Sequence, residues 1–255
     1  MNNIDMSMFS HYITNFIFIL LRTGIFIGML PVFGSKSLPV QFKIGFVIFI
    51  ALLLTPVVDF QVKESNIPLL VINEILIAVA LGFAAKFIFM AVNMAGIFVS
   101  HAIGMSMASM FNPEMGQSTI IAELYGIIAM LLFLAVNAHH DLIYVFAKSY
   151  EVLPAGQFNA AKALPKIISI GSKFFVMTII IAAPIIVGLL LSQILTGFLY
   201  KAAPLMNVFF ITWPLSIIFG FTLMFLSLPV LEHVLTINFS EIKNEMSQIM
   251  VLAKG

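Results

Sequence analysis

The sequence predicts an all-α integral membrane protein, and its composition is the main reason for that prediction. Hydrophobic residues make up 62% of the 255 residues and charged residues only 9%, and the mean hydropathy is +1.13. A soluble globular domain has about 25% charged residues. Most of the chain is therefore expected to be surrounded by lipid or by other apolar helices.

The same composition excludes several classes of function. The chain has no cysteine, so disulfides, thiolate metal sites and cysteine nucleophiles are ruled out. The formal net charge of +1 is spread thinly along the chain, which leaves no basic patch for nucleic acid. The N-terminal segment lacks the basic region of a signal peptide, so we expect no cleavage there.

Six apolar segments are long enough to form hydrophobic helices, judged against the ~20 residues that a bilayer span requires. After Leu231 the pattern changes to that of an amphipathic terminal helix. The six segments are Tyr12 to Pro31, Val40 to Val58, Ile67 to Val99, Ile120 to Val136, Phe174 to Tyr200 and Val208 to Val230. The apolar positions of the terminal helix are Leu235, Phe239, Ile242, Met246 and Ile249.

The last two apolar segments are unusual for helices that face only lipid. Phe174 to Tyr200 contains no charged residue and would be ~40 Å long as a helix, against a hydrocarbon core of ~30 Å. Prolines and glycines inside both segments require neighbouring protein to satisfy the freed backbone groups. We therefore expect long, partly kinked helices that pack mainly on other protein. The positions are Pro184, Gly188, Pro214, Gly220 and Pro229.

One charged residue, Arg22, lies inside the first apolar segment. An ionisable residue at membrane depth indicates either a functional site or a structurally paired charge, and the sequence leaves both interpretations open. Glu74 and Glu123 are the available counter-ions. For Glu74, near the start of the third segment, we favour an interfacial carboxylate stabilised at a helix N-terminus.

His139, His140 and Asp141 form the cluster that most resembles a metal site. Adjacent residues on a helix point about 100° apart, and no second group of ligands lies nearby in the sequence. A polar cluster at a helix end is therefore favoured over a metal site. The sequence has no HExxH, GxSxG, P-loop or GxGxxG pattern, and we expect neither an enzyme nor a bound cofactor.

A methionine-rich stretch, Ala95 to Gly116, joins the third and fourth segments. Methionine is flexible and polarizable, so a cluster on a loop can form a deformable seal around a changing cargo. We favour such a seal over ordinary core packing, because irregular backbone at membrane depth is buried in protein or lines an aqueous cavity. The predicted seal comprises Met105, Met107, Met110, Phe111, Asn112, Pro113 and Met115, with Gly104 and Gly116 as hinges.

Four ordered motifs resemble the FliR family of flagellar and injectisome export proteins, over nearly the whole chain. Leu20 to Pro39 resembles the family's first helix with its arginine, followed by a Pro-Val-Phe-Gly turn. Asn112 to His140 resembles the central loop and a helix ending in Asn-Gly-His, with Ala138 in place of the glycine. Ser149 to Gly156 resembles a Ser-aromatic and Pro-x-Gly segment, and Gly197 to Leu215 resembles the turn between the last two helices.

The resemblance implies an export-gate subunit in the bacterial inner membrane, within the flagellar basal body. Such a subunit joins FliP and FliQ in a closed helical hetero-oligomer that forms the entry pore for unfolded polypeptides, with FlhB and FlhA as neighbours. Residues 1–172 are then similar to FliP and include a plug loop at about 104–119. Residues 173–255 are similar to a FliQ hairpin, followed by the amphipathic C-terminal helix.

The resemblance also implies roles for individual residues. The turn from Lys201 through Pro204 to Asn207 would face the cytoplasm near FlhB, although the distribution of lysines alone predicts the opposite side. Arg22, Pro31 and Pro39 would position the first helices against their neighbours. The other intramembrane polar and packing positions are Glu74, Glu123, Asn137 and His139.

A secondary transporter is the alternative function. Arg22, Glu74, Glu123 and His139 would then form a relay for a proton or a small solute near the membrane midplane. This alternative predicts inverted repeats, and none is evident in the sequence. A membrane enzyme is a weaker alternative, because only the cluster at 139–141 supports it.

Overall fold

The computed structural model describes residues 2–30, 39–58, 67–105, 119–154, 156–202 and 208–254. In these ranges the chain forms seven α-helices, and the β-structure is limited to an isolated bridge between Phe158 and Lys254. The prediction of an all-α fold is confirmed. The helices are α1 (Asn2–Met29), α2 (Val40–Leu54), α3 (Ile67–Ile103), α4 (Ile120–Ala135), α5 (Ala138–Val152), α6 (Ala160–Ala202) and α7 (Val208–Ala253).

The observed helices differ from the predicted segments in four places. Helix α1 begins at Asn2, ten residues before the predicted start at Tyr12. The sequence does not predict α5, which follows α4 after a break of two residues. Helix α6 begins at Ala160, where Asn159 caps its first turn by accepting a hydrogen bond from the Lys162 N–H at 3.2 Å, and it continues through Pro165. The amphipathic C-terminal segment is not a separate helix, since α7 continues into it through Pro229.

Among the described residues, four helical segments are long and apolar enough to cross a membrane: Tyr12–Met29, Ile67–Ile103, Ala160–Phe198 and Thr212–Ala253. The pair α4 and α5 makes a fifth if the two broken halves count as one span, whereas α2 is shorter. Many large apolar side chains on these helices are exposed on the isolated chain. These features identify an integral membrane protein, as the sequence predicts.

The described helices pack into two compact units. Unit 1 comprises Met1–Phe87, Asn137–Gly171 and Glu241–Gly255, and unit 2 comprises Ile88–Val136 and Ser172–Ser240. Helices α3, α6 and α7 contribute residues to both units. This division follows packing in space. It does not test the expected likeness of residues 1–172 to FliP and of residues 173–255 to FliQ, which stays a prediction.

The core of unit 1 includes α1, α5 and the C-terminal end of α7. Buried residues recur at helical spacing on one face of α5, from Leu142 to Tyr150. The ring of Phe146 stacks on that of Phe26 in α1, with centroids 4.4 Å apart. The end of α7 is held by a hydrogen bond from the Asn159 N–H to the Ala253 carbonyl oxygen at 2.8 Å. These contacts hold α1, α5 and the end of α7 within unit 1.

The core of unit 2 depends on close approach between helices. A methyl group added at Gly96 of α3 would lie 2.5 Å from the Cα of Ala122 in α4. One added at Gly220 of α7 would lie 2.5 Å from Cγ1 of Ile103 in α3. Small residues allow such contacts, which are typical of helices that associate in membranes. An aromatic cluster with centroids 5.3 to 5.5 Å apart joins α3, α4 and α7 through Phe89, Phe133 and Phe239.

Candidate functional site

The candidate site in unit 1 is centred on Arg22, in the C-terminal half of α1. The neighbouring residues Phe18, Ile19 and Phe26 are buried on the same face of the helix, because residues three or four apart share a face. The Arg22 side chain is itself 0% exposed. A buried charge without a partner is very costly, so the fold must supply groups that neutralise and hydrogen-bond the guanidinium.

Glu74 of α3 supplies the negative charge. Arg22 Nε donates to Glu74 Oε2 at 2.5 Å, and Nη2 donates to Oε1 at 2.8 Å. The Glu74 side chain is also 0% exposed. Two parallel hydrogen bonds between a planar guanidinium and a carboxylate fix direction as well as charge, and a lysine could not reproduce them.

Helix α5 supplies the remaining contacts. Arg22 Nη1 donates to Ser149 Oγ at 3.2 Å, and Nη2 donates to the Leu153 carbonyl oxygen at 3.1 Å. The guanidinium carbon lies 4.3 Å from the centre of the Tyr150 ring, within range of a cation–π contact. We refer to this group as the arginine clamp: Arg22, Glu74, Ser149, Tyr150 and Leu153.

The clamp is tied back to α1 through Tyr150. The Tyr150 hydroxyl donates to the Ile19 carbonyl oxygen at 3.4 Å and lies 3.2 Å from Thr23 Oγ1, with which it shares a second hydrogen bond. The clamp therefore joins three helices that are distant in sequence. Its geometry fixes α1, α3 and α5 in one arrangement, which is a positioning role.

The charge of Arg22 is paired in the structure, and of the two predicted counter-ions it is Glu74 that pairs with it. The interpretation of Glu74 as an interfacial carboxylate is wrong, because its side chain is fully buried beside Arg22. Sequence reasoning missed the contributions of Ser149 and Tyr150. The available signal is that both lie on the apolar face of α5, at positions where a buried hydroxyl requires a partner.

The other polar candidates lie elsewhere. Glu123 is exposed in the first turn of α4, within unit 2, where the helix dipole favours a carboxylate. Asn137 adopts a left-handed conformation, φ 57° and ψ 22°, between α4 and α5. His139 lies in the first turn of α5, with its ring 4.1 Å from that of His140. Within the described ranges, no three His, Asp or Glu side chains are placed to hold a metal ion.

The structure describes only the beginning of the predicted seal. Gly104 ends α3 with φ 85°, and its N–H bonds to the His101 carbonyl oxygen at 3.1 Å. The Met105 N–H bonds to the Ser100 carbonyl oxygen at 3.0 Å. These two bonds form a Schellman motif, which favours glycine at the left-handed position. The other predicted seal and hinge residues lie outside the described ranges: Met107, Met110, Phe111, Asn112, Pro113, Met115 and Gly116.

Two further predicted positions are described. Pro39 precedes α2 with φ −56° and ψ 141°, so its fixed φ suits the entry to that helix. Lys201 is exposed in the last turn of α6, where a cation is favoured by the helix dipole. The predicted positions Pro31, Pro204 and Asn207 lie outside the described residues.

Comparison of the sequence with known proteins identifies the family of this chain. The sequence matches the family described as bacterial export proteins, family 1, over residues 13–242. It is 30% identical over 243 residues to the flagellar biosynthetic protein FliR of Escherichia coli K12, covering 91% of this chain and 90% of the relative. The chain therefore belongs to family 1 of the bacterial export proteins.

Other relatives share the flagellar name. The FliR protein of Bacillus subtilis 168 is 28% identical over 246 residues, covering 93% of this chain and 95% of its own length. That of Caulobacter vibrioides is 30% identical over 230 residues, covering 87% and 91%. The resemblance found in the sequence is confirmed. The chain is a membrane-embedded component of a flagellar export apparatus, and its family is one of export proteins.

Proposed function

We propose that this chain is a gate subunit of the flagellar protein export apparatus in the bacterial inner membrane, at the basal body. It assembles with FliP and FliQ around the entry pore for unfolded export substrates, with FlhB and FlhA as neighbours. Residues 1–172 take a FliP-like place in the ring and residues 173–255 a FliQ-like place. The chain has no catalytic cycle, and the energy for export comes from other parts of the apparatus.

The observation that carries this proposal is an apolar stripe along α6. Eleven large apolar side chains on this helix are each more than half exposed on the isolated chain. Six of them, which we call the stripe, extend from Ile168 to Phe198. The first three share one side of the helix, and the last three face roughly 150° away from it, so the exposed apolar surface winds around the helix. The stripe residues are Ile168, Phe175, Ile179, Leu191, Leu195 and Phe198.

The stripe is too long for lipid alone to cover. From Ile168 to Phe198 the helix rises about 45 Å, against a hydrocarbon core of about 30 Å. A straight helix would have to tilt by about 48° to keep the whole stripe inside the bilayer, and spanning helices rarely exceed about 40°. Part of the stripe is therefore covered by protein in the assembly. FliP and FliQ are the partners that the family resemblance implies.

Assembly is tested by co-expressing this chain with FliP and FliQ from the same genome. Native mass spectrometry of the detergent-extracted material should give a discrete complex with one copy of this chain. A monomer or a homodimer that binds neither FliP nor FliQ would contradict the proposal.

Substitutions at the two ends of the stripe sharpen this test. Ile168→Gln and Phe198→Gln should each leave the isolated chain folded, because both side chains are exposed, and at least one of them should weaken the complex. Thr222→Gln, at an exposed position of α7, is the matched control. If both stripe variants assemble as well as the control, protein does not cover the stripe.

We further propose that the methionine-rich segment after Gly104 obstructs the closed pore. The support is the methionine content of the segment and the defined turn at Gly104 and Met105, from which the segment starts. Shortening the segment around Phe111 should make the assembled complex leaky to ions in planar bilayers. An unchanged conductance would remove the seal from the proposal while leaving the assembly with FliP and FliQ intact.

The clamp bears on the transporter alternative. A relay requires ionisable groups that a solute or proton can reach, whereas Arg22 and Glu74 are fully buried and bonded to each other. The alternative predicts that the chain alone binds or moves a small solute and that Glu74→Gln stops this movement. Solute uptake into vesicles containing only this chain tests this prediction, and observed uptake would support the transporter alternative.

A further inference from the structure

Lys86 lies near the middle of α3, at the surface of unit 1. Its side chain is exposed on the isolated chain. Within the part of the chain that the structure describes, it makes no hydrogen bond, ion pair or ring contact. The sequence on both sides of it, from Ile75 to Ala85 and from Phe87 to Ser100, contains no charged residue. Lys86 is therefore a single exposed charge within a long uncharged run.

The length of α3 places this charge inside the membrane. The helix rises about 28 Å from Ile67 to Lys86 and about 26 Å from Lys86 to Ile103. A hydrocarbon core is about 30 Å thick, so neither part of the helix spans it alone. A bilayer that α3 crosses therefore includes Lys86 within its hydrocarbon. Ionisable residues at such depth pair with another charge or face a water-filled cavity.

The surface around Lys86 favours a paired charge over a water-filled cavity. Four apolar residues of α3 lie on the same side of the helix as Lys86, at spacings of three, four and seven residues. We refer to them together with Lys86 as the lysine face: Ile72, Leu76, Val79, Phe83 and Lys86. Ile72, Leu76 and Val79 are 52%, 38% and 40% exposed on the isolated chain. Water does not stabilise such a surface, whereas an apolar neighbour does.

We propose that the lysine face docks a membrane helix of a neighbouring subunit, and that this helix carries an Asp or Glu side chain opposite Lys86. The carboxylate neutralises the ammonium group and accepts its hydrogen bonds, while the apolar residues of the face exclude water. Glu74, the carboxylate of α3, cannot take this role because it is bonded to Arg22. This inference rests on the proposed assembly with FliP and FliQ and names the chemistry of one of its contacts.

Competition between two forms of the full chain tests the contribution of Lys86. Wild-type and Lys86→Met chains, with tags of different mass, are co-expressed with limiting FliP and FliQ. Native mass spectrometry then gives the ratio of the two forms in the complex. Lys86→Met leaves the partner's carboxylate buried without its counter-charge, so it should be depleted from the complex about a hundredfold or more. Lys86→Arg keeps the charge and should be depleted less.

Two controls separate this loss from misfolding. Without partners, Lys86→Met should unfold no more easily than the wild type, because the substitution removes an exposed charge from an apolar surface. Lys162→Met is the matched control in the competition. Lys162 is also an exposed lysine, but it lies in the first turn of α6. Lys162→Met should enter the complex as well as the wild type.

A charge exchange identifies the group opposite Lys86. Lys86→Glu places two carboxylates together and should be excluded from the complex. Replacing the Asp and Glu residues in the membrane helices of FliP and FliQ by lysine, one at a time, should restore assembly at one position. If no replacement restores assembly of Lys86→Glu, no carboxylate lies opposite Lys86 and the inference is overturned.

The competition also distinguishes failure of this inference from failure of the proposed function. A wild-type chain that does not assemble with FliP and FliQ would overturn both. If the wild type assembles and Lys86→Met enters the complex equally well, the inference alone is overturned. Lys86 would then face lipid headgroups or a water-filled pore, and the assembly would stand.

Discussion

In unit 1, charged and hydroxyl side chains form ion pairs and hydrogen bonds between helices. In unit 2, many of the closest contacts are made at glycines and between aromatic rings. Ion pairs between described residues of unit 1 include Arg22 with Glu74, Lys166 with Glu245, and Lys243 with Asp141. Among the described glycines of unit 2, Gly96, Gly188 and Gly220 leave no room for a methyl group.

The difference teaches how a membrane protein specifies one packing of its helices. Lipid tails are as apolar as leucine, so apolar burial alone does not favour one helix arrangement over another. A buried ion pair selects an arrangement because any other leaves a charge without its partner. A glycine contact selects one by shape, because a larger side chain forces the helices apart. The two units use these two means in different proportions.

Breaking the clamp should have the largest effect. Arg22→Met leaves the Glu74 carboxylate buried beside an apolar side chain and should lower the free energy of unfolding by about 3–5 kcal/mol. The double variant Arg22→Met with Glu74→Met removes both charges and should recover most of that loss. Unfolding in mixed micelles measures both. If the single and double variants are equally unstable, the clamp stabilises unit 1 by packing and not by charge.

The glycine contact of unit 2 should give the next largest effect. Gly96→Ala places a methyl group against the backbone of Ala122, which cannot move aside, and should lower the free energy of unfolding by about 1–3 kcal/mol. Gly82→Ala is the counterpart in unit 1. Its methyl group would meet Cβ and Sδ of Met29 at 2.9 Å, a less severe overlap than the 2.5 Å to the Cα of Ala122 at Gly96, so its effect should be smaller.

A further control is Gly126→Ala in α4, where a methyl group meets no described atom within 4 Å. This variant should be neutral or slightly more stable, since alanine favours a helix more than glycine. The same unfolding measurement applies to all three glycine variants. A Gly96→Ala protein as stable as Gly126→Ala would show that close approach does not hold unit 2 together.

The turn that ends α3 should give an intermediate effect. Gly104→Ala puts a side chain into a left-handed conformation, and its methyl group would lie 3.2 Å from Nε1 of Trp213. The variant should lower the free energy of unfolding by about 1–2 kcal/mol. Gly104→Asn should cost less, because asparagine visits this conformation more readily. Thermal unfolding followed through the fluorescence of the single tryptophan reports on this turn directly. If the two variants have the same melting temperature, the left-handed conformation is not the cause of the lost stability.

The surface ion pair of unit 1 should give the smallest effect. Lys243 and Asp141 are 3.3 Å apart, but their side chains are 45% and 38% exposed. Lys243→Ala should lower the free energy of unfolding by about 0.2–1 kcal/mol, and the loss should fall with added salt. A double-mutant cycle with Asp141→Ala isolates the pair. A coupling as large as that of Arg22 and Glu74 would mean that exposure does not separate the two kinds of ion pair.

Much of the fold could be predicted from apolar spacing. The predicted apolar positions of the C-terminal segment, from Leu235 to Ile249, are all buried. Its continuity with α7 could not be predicted, because Pro229 usually marks a helix end and here the helix continues through it. Helix α5 could not be predicted either, because its 15 residues are too few and too polar for a membrane span.

The candidate site was only partly predictable for a different reason. The position of Arg22 inside an apolar run indicates either a functional site or a paired charge, and the pairing is seen only in the structure. The choice of Glu74 over Glu123 depends on how α3 packs beside α1, and nothing near these residues in sequence encodes that packing. The sequence analysis includes Ser149 only as part of the segment from Ser149 to Gly156 and predicts no contact with Arg22. The predicted seal falls largely outside the described residues, so it stays a prediction.

The order of the clamp residues along the chain has a consequence for biosynthesis. Arg22 is made 52 residues before Glu74, which at about 5–20 residues per second is a delay of about 3–10 s. Ser149 follows 127 residues after Arg22. During that delay α1 carries an uncompensated charge, which costs about 2.5–3.5 kcal/mol at the centre of a membrane helix. Insertion of α1 is therefore less favourable by about this amount until α3 has been made, and the clamp can form only after that.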